Sequence, residues 1–291
     1  MLKVTIGIPA YNEEKNIGQL LDTLEHQITQ EVVIDEIIVV SSGSTDRTDE
    51  LVAKRRGVHL LTESERRGKV SAINLIMRVA RNKICVLSNA DILLELDAIE
   101  KLCIPFQDEG VGMTGGKVIP ISDAGTFIGF LCHLRWRMSH EVSLIRPVLG
   151  ELIAFRNIIP PIPNTAADES SIEAAIKEKQ YKVVYVPEAV FHNHGATNLS
   201  DYIKQRRRIF AGQLRLKHLT GYSASSQSIP IMLMAMMKTL SFTWRSLCWT
   251  PFAIIIEMFC RLLGSYDYYG KKANPHIWDI AGTTKGGFSG Y

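Results

Sequence analysis

Two hydrophobic periods alternate along the first third of the chain. Short, mostly apolar runs, Val4-Thr5-Ile6-Gly7-Ile8 and Glu36-Ile37-Ile38-Val39-Val40, give way to Pro or Ser, as strands buried on both faces do. Between them Ile17, Leu20, Leu21, Leu24 and Ile28 fall on one face of a helix, while Glu13, Glu14, Lys15 and Asp22 face water. The alternation continues. Residues 46–56 read as a helix entered through Ser44 and Thr45, residues 69–81 as a helix with Val70, Ile73, Met77 and Ala80 inward, and Ile84-Cys85-Val86-Leu87-Ser88 as a third buried strand. Strands alternating with helices imply an α/β fold with a parallel sheet, whose ligands bind at the carboxyl ends of the strands. The loops after Ile8, Val40 and Ser88 are therefore the first places to look for chemistry.

The second half reads differently. Val183-Val184-Tyr185-Val186 is a late strand, residues 199–218 form a basic helix, and Ser223-Ala224-Ser225-Ser226-Gln227-Ser228 is a polar linker. Two apolar stretches follow, 229–242 and 247–264, which carry Lys238, Arg245, Glu257 and Arg261. A membrane span needs about 20 apolar residues, so a hairpin lying in the interface fits better than two clean spans, and a soluble helical subdomain is the alternative. Trp244, Trp249, Tyr266, Tyr268 and Tyr269 suit an aromatic belt. The expected divisions are 1–220 for a catalytic domain, 221–270 for apolar helices and 271–291 for a tail.

Composition narrows the function only a little. An apolar share of 46% and a charged share of 22% in 291 residues describe a globular protein, and a net charge of +3 is too mild to imply nucleic acid. Five widely spaced cysteines without a CxxC pair suggest reduced, buried thiols. The chain opens on a strand-like run rather than an apolar leader, so export by that route is not expected.

The loops carry the chemistry. Pro9-Ala10-Tyr11-Asn12-Glu13 sets an aromatic ring and a carboxylate at the sheet's edge, with Asn12 as a capping residue. Ser41-Ser42-Gly43-Ser44-Thr45-Asp46 is a small-residue loop whose backbone donors suit a nucleotide. Ser88-Asn89-Ala90-Asp91 ends a strand on a carboxylate, a position suited to Mg2+ or Mn2+ bridging to a diphosphate. Asp168 and Glu169 open a helix, where acids also serve the helix dipole alone.

The order Pro9 to Glu13, Ile37 to Thr48, Arg67-Gly68-Lys69 and Asn89-Ala90-Asp91 resembles the nucleotide-binding half of family-2 glycosyltransferases. The similarity continues through Gly115-Gly116-Lys117-Val118, Gly150-Glu151, Ala154-Phe155-Arg156, Asp168-Glu169 and Gln205 to Arg208, covering about residues 1–215. It implies a GT-A fold with a mainly parallel central sheet, and inverting transfer from a nucleotide-diphosphate sugar to a lipid-linked or glycan acceptor at the cytoplasmic side of the membrane. Pro9, Tyr11 and Glu13 would line the base and ribose pocket. Ser41 and Ser42 stand where relatives have acids or Ser, which leaves the base open. Arg67 and Lys69 would approach the ribose or the diphosphate.

Asn89 replaces the first acid of an Asp-x-Asp motif and is left to bind sugar or ribose. Asp91 matches the usual ligand of a divalent metal, and His194 a further one. Asp168 becomes the candidate general base, with Glu169 positioning. Gln205 and Arg208 match a Gln-x-x-Arg-Trp motif in which Ile209 replaces the Trp, and Arg208 would neutralise the departing diphosphate. Trp278 and Thr283-Thr284-Lys285-Gly286 resemble a loop that reaches back over the nucleotide.

No GxGxxG follows the first strand, residues 111–117 do not form a P-loop, and no GxSxG is present, which argues against a dinucleotide oxidoreductase, a P-loop enzyme and a triad hydrolase. A nucleotidyltransferase and a catalytically silent nucleotide-binding scaffold remain as alternatives.

Overall fold

The computed structural model describes residues 1–223, 228–271 and 286–287. One eight-stranded sheet has the order β3-β2-β1-β4-β7-β6-β8-β5. Strands β1 (Leu2–Ala10), β2 (Val32–Ser42), β3 (Val58–Glu63) and β4 (Ile84–Ser88) run parallel, as the alternating pattern predicts. Beyond β4 the sheet is mixed. Strand β7 (Leu152–Arg156) runs antiparallel between β4 and β6 (Val111–Pro120), β6 is parallel to β8 (Lys182–Asn193), and the short β5 (Ile92–Leu94) is antiparallel to β8.

Strands β1, β2, β4 and β7 are buried on both faces, and their period of two divides the core. Ile6, Ile8, Val39 and Val86 point one way, onto Ile17, Leu20 and Leu24 of α1 (Ile17–Glu25) and Ile99 and Leu102 of α4 (Ala98–Cys103). Ile38, Val40, Cys85, Leu87 and Phe155 point the other way, onto Ile73 and Ile76 of α3 (Lys69–Val79) and Ile172 and Ile176 of α6 (Asp168–Glu178). Gly7 lets β1 meet α3, because a Cβ there would come within 2.4 Å of the Ile76 side chain.

Three local expectations change. Helix α1 stops at Glu25, where the His26 N–H closes onto the Asp22 and Leu24 carbonyls, so Ile28 lies outside it and is 56% exposed. Helix α2 (Thr48–Ala53) starts later than its apparent caps, because Ser44 and Thr45 are used to bind the preceding loop. Trp249 is no belt residue. Its ring packs edge-on against Phe127 and Phe130, with centroids 5.6 and 5.4 Å away, whereas Trp244 and Tyr269 are exposed.

The apolar segments form α8 (Ile229–Thr239) and α9 (Trp244–Ser265). Helix α8 lies along α5 (Phe127–Ile145), and α9 along α7 (Leu199–Thr220). Arg206 on α7 makes a two-pronged ion pair with Glu257 on α9, at 2.8 and 3.0 Å, and Arg261 holds the same carboxylate at 3.1 Å. Arg207 pairs with Asp267. The continuous helical run 244–270 is 27 residues long, enough in length and composition to cross a membrane. The residues that resemble a returning loop, 278–285, lie outside the described part, as does most of the polar linker. All five cysteines are free thiols, four of them buried and Cys248 half-buried.

Candidate active site

A cavity of about 740 Å³ opens where the carboxyl ends of β1, β2 and β4 meet the start of β7, and it extends between α5, α7, α8 and α9. Of the residues singled out from sequence, Pro9, Tyr11, Glu13, Ser42, Lys69, Asn89, Asp91, Asp168, Glu169, His194, Gln205 and Arg208 all line it. Ser41 and Arg67 do not. Ser41 is wholly buried and its hydroxyl donates to Ser44 Oγ at 2.8 Å. Arg67 contributes its backbone N–H to Ser42 Oγ at 3.0 Å, while its guanidinium turns out to Glu65. Its neighbour Arg66 takes the inward place, 4.2 Å over the Tyr11 ring, on a face where the sequence suggests a stacked base.

The first two loops are tied to each other. Asn12 does not cap α1. It adopts a left-handed φ of 53°, from which its amide oxygen accepts the Thr45 N–H at 2.8 Å and its own N–H donates to Ser44 Oγ at 3.1 Å. Glu13 accepts from Asn16 Nδ2 at 2.9 Å, and the Asn16 amide oxygen accepts the Gly287 N–H at 3.1 Å, so one point of the tail touches this loop. Below, Glu63 accepts hydrogen bonds from Ser42 and Ser71, both 2.5 Å. Glu63 was not singled out from sequence, because its strand, β3, was not read.

Lys69, the first residue of α3, reaches Asp168 Oδ2 at 2.5 Å and Glu169 Oε1 at 2.9 Å. Burial and then the charge of Glu169 push the Asp168 carboxyl up to about 6, with Lys69 opposing. For Glu169 burial acts in the same direction, but Lys69 outweighs it and leaves this carboxyl lowered, to about 2. Lys69 is within ion-pair reach of both carboxylates, so the two share its charge, while burial and their mutual repulsion make the pair hold a proton more firmly than free carboxyls would. Burial brings Arg208 down to about 10, against the charges of Asp168, Glu169 and Asp91. Burial likewise lowers His194.

Two further polar residues lie beside Asp91. Glu151, just before β7, is pushed up to about 7 by burial and by the Asp91 charge, with Arg135 and a hydrogen bond from Asn193 Nδ2 (2.7 Å) opposing. Asn193 is 5% exposed, and its Oδ1 has no hydrogen-bond partner among the described residues. The sequence displayed Gly150-Glu151 and Asn193 without giving them a role. Their meeting depends on β7 entering the sheet next to β4, which strand order along the chain does not reveal.

Among the described residues no three His, Cys, Asp or Glu side chains converge into a ready metal cage. The oxygen-rich set of Asp91, Glu151 and Asn193 nonetheless suits a hard cation that takes part of its coordination from a bound diphosphate.

Away from these groups the walls are mainly apolar, with Leu134 and Met138 of α5, Met232 and Met236 of α8, and Ile254 and Met258 of α9, interrupted by the ion-paired Arg206, Glu257 and Arg261. Arg135 sits on the wall between the two regions, over the Trp136 ring at 4.2 Å and lowered by burial and by repulsion from Arg206.

The family model for glycosyl transferase family 2 matches residues 5–155, and that for glycosyl transferase family group 2 matches residues 108–262. The O-antigen chain rhamnosyltransferase of Salmonella typhimurium is 24% identical over 226 residues, 69% of each chain. The dolichyl-phosphate beta-glucosyltransferase of Trichomonas vaginalis is 33% identical over 107 residues, 34% of this chain and 32% of that one. Among solved structures, a mannosyltransferase from Pyrobaculum calidifontis in complex with GDP-Man and Mn2+ superposes with a TM-score of 0.65 at 21% identity, covering 93% of this chain and 88% of the other. The chain therefore has the GT-A fold and belongs to glycosyl transferase family 2, the enzymes that transfer a sugar from a nucleotide sugar.

Proposed function

We propose that this glycosyltransferase moves one sugar, with inversion, from a nucleotide-diphosphate sugar to a hydroxyl or phosphate of a lipid-linked acceptor at the cytoplasmic face of a membrane. One observation carries the reading: a single cavity passes without a break from the charged strand tips to an apolar chamber walled by α5, α8 and α9. A soluble glycan acceptor has no need of methionines and leucines at that end. The outer sides of α8 and α9 and the turn between them support membrane contact, with Phe242 of the turn 93% exposed and Met237 and Trp244 also in the open.

In this reading Pro9, Tyr11, Glu13 and Ser42 hold the nucleoside, and Lys69 fixes the carboxylates that meet the acceptor. Asp168 accepts the proton of an acceptor hydroxyl, and the freed oxygen attacks the anomeric carbon from the side opposite the diphosphate. The bond from that carbon to the diphosphate oxygen breaks, and the nucleoside diphosphate leaves. An acceptor phosphate is already ionised and needs little of Asp168. Arg208 stands by the charge that grows on the leaving group, and Glu169 and Gln205 orient the sugar. Asp91, with His194, would hold a divalent cation. Such a cation, when bound, neutralises diphosphate charge and polarises the leaving oxygen.

The test is to incubate the protein with vesicles containing polyprenyl phosphates, or glycolipids extracted from cells, and a panel of radiolabelled GDP-, UDP- and dTDP-sugars. The expected product partitions into organic solvent and carries an inverted anomeric bond by NMR. Label that moves only into water-soluble glycans, or a product of retained configuration, would overturn the corresponding part of the proposal.

A further inference from the structure

Asn89 holds an amide where the family resemblance leads one to expect an acid, and a carboxylate stands one strand away. Strands β4 and β7 are antiparallel with Ser88 opposite Leu152, and the ladder takes one more step, the Asn89 N–H donating to the Glu151 carbonyl at 2.9 Å. Beyond Leu152 the pairing is irregular, because Glu151 leaves the extended region, yet this hydrogen bond still sets the two residues side by side at the end of the strand pair. Asn89, Asp91 and Glu151 accordingly line the same end of the cavity.

Glu151 is also held in an unusual way. It adopts a left-handed φ of 64°, although Gly150, the residue better suited to that conformation, comes immediately before it. Its carboxylate is fixed by Asn193 Nδ2 at 2.7 Å. The other end of that amide, Oδ1, is buried at the cavity wall without a donor among the described residues. A buried carbonyl oxygen left this way forgoes a hydrogen bond unless a ligand supplies the positive partner.

We propose that Glu151 supplies the second carboxylate of the donor's divalent-cation site, replacing the acid absent at Asn89, with the Asn193 amide oxygen as a further ligand beside Asp91 and His194. The proposal rests on the reading of this protein as a cation-dependent sugar transferase. Hard cations such as Mg2+ and Mn2+ are commonly held by one or two carboxylates plus substrate phosphates rather than by an all-protein cage. That accounts for a site that is complete only with the nucleotide in place. The second acid thus reaches the cavity across a strand pair instead of along one strand.

Mn2+ binding, read by the loss of the free-ion electron paramagnetic resonance signal in the presence of GDP or UDP, tests this without turnover. The wild type is expected to bind and Asp91→Ala to lose binding. Glu151→Gln should weaken binding roughly tenfold or more, and Asn193→Ala by a smaller factor. The double variant Asn89→Asp with Glu151→Gln should return to within about threefold of wild type, because it restores two carboxylates at the same end of the cavity. No Mn2+ binding by the wild type with either nucleotide would overturn the cation reading itself. Wild-type-like affinity in Glu151→Gln, with Asp91→Ala defective, would overturn only the role of Glu151. Failure of Asn89→Asp to rescue a folded Glu151→Gln protein would show that Glu151 acts through structure instead, and would also overturn it.

Discussion

The two ends of the cavity are built from different material. The charged end is made of strand tips and the first turns of α3 and α6, where the sheet's hydrogen bonds fix each side chain's origin and cross-links such as Asn12 to Thr45 and Lys69 to Asp168 fix its direction. The apolar end is made of three helix faces rich in methionine, an unbranched side chain that fills irregular space and re-packs around different shapes. On the proposed function, the first end selects the donor's diphosphate and the second receives the acceptor's apolar chain. The contrast teaches that a change at one end need not disturb the other, because the two are built on separate elements.

Substitutions should therefore sort by end. Asp168→Asn is expected to cut kcat for a hydroxyl acceptor by about 10²- to 10⁴-fold while nucleotide affinity, measured by calorimetry, stays within a few-fold. Equal loss of both would erase the distinction between base and donor pocket. The same carboxyl gives a pH signature. With its value raised to about 6 in the free protein, Asp168 is ionised above that pH and protonated below it, so kcat/KM should fall about tenfold per unit on the acid side. The stability contribution runs the other way, since a raised carboxyl favours the folded state at low pH and this contribution is lost as pH rises through about 6.

Met236→Gln, at the apolar end, should raise the KM for a lipid acceptor by roughly tenfold, consistent with about 1.5–3 kcal/mol for a buried apolar side chain, and leave the donor KM unchanged. A change confined to the donor KM would break the assignment of the two ends. The smallest effect is expected outside the cavity. Phe242→Ser with Trp244→Ser should weaken co-sedimentation with lipid vesicles several-fold, with turnover of a detergent-dispersed short-chain acceptor unaltered.

Much of the charged end was legible in the sequence. Parallel strands buried on both faces read as plain apolar runs, and the loops at their carboxyl ends carried the residues that now line the cavity. What escaped was the non-consecutive part. Strand β6 is broken by Gly112, Gly115 and Gly116, so it lacks the apolar run that marked β1, β2 and β4. Helix α5 mixes His133, Arg135 and Arg137 with its apolar residues, so no clear stripe marked it. Strand β7 is too short to announce its direction, and with it went the pairing of Asn89 with Glu151. The motif resemblance points to Arg67 because it fixes sequence spacing, whereas the turn around Gly43, where a Cβ would come within 2.6 Å of the Arg66 backbone nitrogen, sets the path of residues 65–67.

The ion pair between Arg206 and Glu257 bears on how this protein can be handled at the bench. Both groups are largely shielded from water by the packing of α9 on α7, so cutting the chain at the polar linker would remove the carboxylate and open the apolar side of α7 to water. A soluble fragment ending near residue 220 should accordingly be less stable than the whole chain and prone to misplace Arg208, two residues further along the same helix. Detergents that pry α9 away from α7 should inactivate it in the same way, so screening surfactants by retained melting temperature is a sounder guide than yield.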